Sequence, residues 1–107
     1  MRRVIIESPY AGDVPSNIKY ARAALRDCLK RGESPFASHL LYTQDGVLND
    51  DDPSERADGI EAGHQWMRFA DAVVVYVDRG ESHGMRMGIE RAERLGIPIE
   101  YRRLGAA

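Results

Sequence analysis

The most constraining feature of this chain is an alternation of short apolar runs with longer helix-period segments. Arg3 to Glu7 (RVIIE), Ser34 to Ser38 (SPFAS), Ala72 to Val77 (AVVVYV) and Ile99 to Arg102 (IEYR) read as strands. Between them lie three segments whose apolar residues recur at helical spacing. Ile18, Ala21, Ala24, Leu25, Cys28 and Leu29 form the first stripe, capped by Ser16 or Asn17 and stopped by Gly32. The second helix runs from Pro53 to about Ala70, with Ile60, Gly63, Met67 and Ala70 inward. The third runs from Met85 to Leu95, with Met85, Ile89, Ala92 and Leu95 inward. The order β-α-β-α-β-α-β implies an α/β fold: a small doubly wound, Rossmann- or flavodoxin-like parallel sheet of about four strands, helices on both faces. With 107 residues the chain is expected to form a single domain, residues 1–107.

In such sheets ligands sit beyond the carboxyl ends of the strands, where strand order reverses. Two loops reach that edge. Ser8-Pro9-Tyr10-Ala11-Gly12 follows the first strand, and Asp78-Arg79-Gly80-Glu81-Ser82-His83-Gly84-Met85 joins the third strand to its helix. A strand, a turn and a helix start together present free N–H groups and the positive end of a helix dipole, a seat for an anion. His39-Leu40-Leu41-Tyr42 continues the second strand or opens a helical turn at the same edge.

The rest of the sequence mostly excludes. Net charge is −2 from 15 basic and 17 acidic residues, so a nucleic-acid partner is not expected. No apolar run is long enough to span a membrane, and the reading is a cytoplasmic protein. Cys28, the single cysteine, is expected as a buried, inert thiol. Asn49-Asp50-Asp51-Asp52 resembles a calcium loop but lacks its Gly and Glu. Asp52-Pro53-Ser54-Glu55 instead reads as a helix cap, with Asp52 at N-cap and Glu55 at N3. No metal and no cofactor are implied. Gly59 and Gly63 each cost a helix roughly 1 kcal/mol, which suits close approach of a neighbouring backbone or a ligand, or plain helix packing.

Ser8-Pro9-Tyr10, His39-Leu40-Leu41-Tyr42, Ser82-x-Gly84-Met85 and Ala92-x-x-x-Gly96-x-Pro98 resemble the nucleoside 2-deoxyribosyltransferase-like superfamily, which includes hydrolases of 5′-nucleotide N-glycosidic bonds. The whole chain, from ESPYAG to IEYR, is still more similar to a compact family found in phages and bacteria. The resemblance implies a homodimer and a small-molecule nucleotide or nucleoside partner. It also implies a Glu four residues before Ala92 that attacks, or stabilises, the anomeric carbon of the sugar. Gly88 stands there instead.

The expectation is therefore a nucleotide- or nucleoside-binding protein without the standard glycosidase step. The alternative is an N-glycosidase or deoxyribosyltransferase acting on a nucleoside 5′-monophosphate through another carboxylate. Glu7 and Asp78, at strand ends on the ligand edge, are the candidates for that carboxylate, or else they only orient loop groups. Glu90 should point to solvent. Ser82 lies six residues before Gly88, where the resemblance implies a phosphate contact, although a simple helix cap would explain it too. Ser8, Tyr10, Gly12, His39, His83, Gly84 and Met85 complete the expected ligand-binding set. Tyr10 offers a face for stacking, His39 and His83 offer hydrogen bonds or charge, and Arg79 and Arg86 flank the loop.

Overall fold

A computed structural model describes residues 1–105. The elements are β1 (Arg3–Glu7), α1 (Val14–Lys30), β2 (Ser34–Phe36), α2 (Ser38–Leu41), α3 (Pro53–Met67), β3 (Ala72–Tyr76), α4 (His83–Leu95) and β4 (Ile99–Arg102). The four strands are all parallel, in the order β2-β1-β3-β4. This is the doubly wound α/β architecture expected from the sequence. Pro35, which has no N–H to donate, sits on the edge strand β2, where a strand proline is tolerated. The order reverses between β1 and β3, so the switch point lies at the carboxyl ends of these two strands.

Strand alternation sorts the core into two layers. Val4 and Ile6 of β1, with Ala72, Val74 and Tyr76 of β3, pack against Tyr20, Ala24 and Cys28 of α1. Ile5, Val73 and Val75 face the other way, onto Met67 of α3 and Met85, Ile89 and Ala92 of α4. This parity decides which strand-end side chains reach the site. Beside the α1 layer, Arg102 and Glu33 form a buried two-pronged ion pair, both contacts at 2.7 Å. Cys28 is fully buried against the Tyr76 hydroxyl, 3.3 Å away.

Several local expectations shift. The α1 cap is Asp13, whose carboxylate accepts from Ser16 N, while Asn17 turns inward and donates to the Tyr10 and Ala11 carbonyls. Asp13 wins because Pro15 then falls in the first turn, where its missing N–H costs nothing. Leu29 is 58% exposed, since the buried stripe of α1 follows Asn17, Ala21, Ala24 and Cys28. The second strand stops at Phe36, and Ser38 opens the short helix α2. Helix α3 ends at Met67, three residues early, and Trp66 and Phe69 are more than half exposed. Its Asp52 cap is as expected, but Glu55 accepts from Asn49 N. Helix α4 starts two residues early because Ser82 caps it. Among the described residues no helix is long and apolar enough to cross a membrane.

Candidate functional site

Glu7 is the last residue of β1, in register with Val75, and shares the parity of Ile5. Its side chain therefore leaves the sheet on the α3–α4 side. It meets α4 at Gly88, whose own missing side chain leaves room for it: a Cβ there would collide with Oε2 and lie 2.5 Å from the carboxyl carbon. Among the described residues, no hydrogen bond or ion pair holds this carboxyl. Burial without a compensating partner pushes its pKa up to about 8. It is therefore mostly protonated at neutral pH and able to donate.

Beside it, Ser8 is buried, and its Oγ lies 2.6 Å from Nε2 of His39 in the first turn of α2. Burial holds His39 down to about 4, so the imidazole is neutral at physiological pH. One of the two groups donates and the other accepts, and the pair fixes the β1 end to α2. On the other side of α2, Gly63 lets α3 lie close to it, since a Cβ there would be 2.5 Å from Ser38 Oγ.

These groups border a cavity of about 210 Å³. Its walls come from Glu7, Ser8, Tyr10 and Ala11, from α2 and the Tyr42–Asp50 segment, from Glu55 to Met67 of α3, and from Ser82 to Met85. Ser82 Oγ accepts from Met85 N at 3.3 Å, the capping role, which leaves its proton free to donate elsewhere. The N–H groups of His83 and Gly84 open α4 and have no acceptor within the helix. His83 and Gly84 line the same cavity as Glu7.

Seven of the expected ligand residues, Ser8, Tyr10, His39, Ser82, His83, Gly84 and Met85, line this one cavity, and so does Glu7. Gly12 and Asp78 do not line it. Gly12, at φ +102°, serves the turn into α1. Asp78 shares the parity of Tyr76 and so emerges on the α1 side. There it accepts from the Tyr20 hydroxyl at 2.5 Å and from Leu104 N at 2.9 Å. The facing pair of carboxylates, Glu7 with Asp78, is thus not formed. Arg79 lies over the Tyr20 ring and donates to Ser16 and Asn17, and Arg86 and Glu90 point to solvent.

Sequence reasoning offered a ligand only as one reading of Gly59 and Gly63 and did not place Arg56 or His64 at the site. Arg56, Gly59, Ile60, Gly63, His64 and Met67 all line the cavity. The signal was the helical spacing of Arg56, Gly59, Gly63 and Met67, which puts one cation and two glycines on a single stripe. Arg56 lies 3.9 Å from Asp50, a loose pairing that leaves its guanidinium able to meet an anion in the cavity. Among the described residues no three His, Cys, Asp or Glu side chains group as metal ligands.

Residues 2–102 match the model of a family described as a domain of unknown function, DUF7768. The chain belongs to that family. No curated protein matches this DUF7768 chain in sequence. Among solved structures it is similar to a 2-deoxyribosyltransferase from Bacillus psychrosaccharolyticus, with TM-score 0.66 and 16% identity over 98% of this chain and 74% of that one. It is also similar to a CMP N-glycosidase from Clostridium botulinum, with TM-score 0.56 and 14% identity over 95% and 69%. A 2-deoxyribosyltransferase from Leishmania mexicana matches with TM-score 0.53 and 14% identity over 96% and 65%. The DUF7768 chain thus has the nucleoside 2-deoxyribosyltransferase-like fold.

Proposed function

We propose that the cavity takes a nucleoside or nucleoside 5′-monophosphate and that Glu7 works on its N-glycosidic bond. The observation that carries this reading is a carboxyl with no partner among the described residues, raised to about 8, on the wall of a cavity at the switch point of the sheet. A perturbed acid in such a place is the usual mark of acid–base chemistry. The structural neighbours lend support, since one is a 2-deoxyribosyltransferase and another a CMP N-glycosidase.

The chemistry follows from the protonation state. Neutral Glu7 gives its proton to the departing base as the bond between the anomeric carbon and the base nitrogen breaks, and the bond's electrons leave with the base. The carboxylate left behind stabilises the sugar cation. Water, or the nitrogen of a second base, then bonds to the anomeric carbon and returns a proton to Glu7. The phosphate fits the opening of α4, where Ser82 and the N–H groups of His83 and Gly84 donate without adding negative charge. Arg56 adds a positive charge on the same cavity. Tyr10 borders the space for a base.

The test is release of free base from each of the four deoxynucleoside 5′-monophosphates, measured by chromatography. Release that falls at least a hundredfold in Glu7→Gln supports the reading. Release unaffected by Glu7→Gln refutes it. A second reading, binding without turnover, is favoured by Gly88, because α4 itself brings no carboxylate to the cavity. It predicts no release but a rise in Tm with the same nucleotides, about 2.7 kcal/mol of stabilisation at a hundred times the Kd. If the Ser82 end holds phosphate, monophosphates raise Tm more than nucleosides, and Ser82→Asp reverses that order.

A further inference from the structure

Helix α4 carries a buried glycine at position 88, in the interior of a 13-residue helix. Glycine is the least favourable helix residue after proline, so its presence there needs a reason. Backbone conformation is not the reason: Gly88 is absent from the glycines with positive φ, whereas Gly96 at the end of the same helix has φ +70°. Nor is the start of the helix generally crowded, since a Cβ on Gly84 would meet nothing within 4 Å. At Gly88 the three nearest atoms to a Cβ are Oε2, Cδ and Oε1 of Glu7. All belong to one carboxyl group, and that group lies against the bare helix backbone.

We infer that Gly88 is a positioning residue: its missing side chain is the seat that fixes where the Glu7 carboxyl stands in the cavity. The seat accounts for three observations together. The carboxyl is held by packing although no polar partner anchors it among the described residues. It is only partly exposed although it lines a cavity. The helix carries glycine where no turn requires it. Residues 7 and 88 therefore form an exclusive pair, in which a carboxyl from the strand or a side chain from the helix occupies the space, never both. The far end of Glu7 is flexible, so a methyl at 88 displaces the carboxyl outward into the cavity and leaves the helix in place.

The inference concerns the same site as the proposed function and rests on that reading only for its purpose, so its test does not depend on turnover. The full chain is labelled with carbon-13 in its glutamate carboxyls, and the Glu7 signal is assigned by its loss in Glu7→Gln. The native signal should titrate near pH 8, and in Gly88→Ala the midpoint should fall by at least one pH unit as the displaced carboxyl meets water. An unchanged midpoint overturns the inference. A second measurement covers poor folding of that variant. In a Glu7→Ala background the seat is empty, so adding Gly88→Ala should raise Tm by about 4 °C or more, because alanine is the better helix former. No rise, or a fall, overturns the inference as well. A moved midpoint without release of free base leaves Gly88 as the seat and removes the glycosidic reading. Base release that depends on Glu7 with an unmoved midpoint does the reverse.

Discussion

Replacing Glu7 by Gln should abolish a large part of the protein's pH dependence of stability. The carboxyl titrates at about 8 in the folded chain and at its ordinary value of 4.5 once exposed. Each tenfold change in proton affinity is worth about 1.4 kcal/mol, so ionising Glu7 in place costs roughly 5 kcal/mol. Between these two values the folded state holds a proton that the unfolded state has lost, so stability falls as pH rises. Below 4.5 both states are protonated and the contribution is complete; above 8 both are ionised and the loss levels off. From pH 5 to pH 9 the native chain should therefore lose roughly 4 kcal/mol through this group alone. That is a large share of the ~5–15 kcal/mol typical of a domain. Urea unfolding of the native chain and of Glu7→Gln at pH 5, 7 and 9 measures the difference, and all other titrating groups cancel in it. The Gln variant should gain on the native chain steadily, by roughly 4 kcal/mol over the range. A constant gap between the two would show that Glu7 ionises normally and would remove the basis for its role as an acid.

Other outcomes follow from the same geometry. His39, held down to about 4 against an ordinary 6.5, is neutral in the folded chain while the unfolded chain takes up a proton, so stability is lost as pH falls through that interval. His39→Gln should remove up to ~3 kcal/mol of this acid-side loss, read from unfolding curves at pH 6.5 and 4. Gly63→Ala should cost about 1–3 kcal/mol by driving a methyl into Ser38, and Ser38→Gly should recover most of it in thermal melts. Asp78→Asn should lower stability on the order of 1 kcal/mol through Tyr20 and Leu104 while leaving nucleotide-induced Tm shifts unchanged.

The architecture was legible because the strand signals are strong. Ala72 to Tyr76 is wholly buried, as an uninterrupted apolar run in a parallel sheet should be. Glu7 was legible for a related reason: a carboxylate that ends an apolar strand has few places to go except the ligand edge. Asp78 follows the neighbouring strand β3 and looks equivalent in the sequence, yet the alternation that sends Val75 and Glu7 toward α4 sends Tyr76 and Asp78 toward α1. Register between neighbouring strands decides that, and a sequence read strand by strand does not reveal it. Ser82 illustrates a different limit, since a hydroxyl that caps a helix and one that can meet phosphate are the same atom. The α3 wall was hidden by its own composition. Gly59 and Gly63 look like costly helix residues until Leu48 is seen against the first and Ser38 of α2 against the second, and Arg56 looks like an ordinary exposed cation until the cavity beside it is seen. Gly88 reads as a loss from the sequence alone, and only the position of the Glu7 carboxyl shows what fills its place.

The most direct trial is a crystal structure of the protein soaked with a deoxynucleoside 5′-monophosphate. The anomeric carbon and the base nitrogen attached to it should lie beside the Glu7 carboxyl, with the phosphate against the first turn of α4. Nucleotide bound outside the cavity, or seated with its sugar turned away from Glu7, would contradict the account.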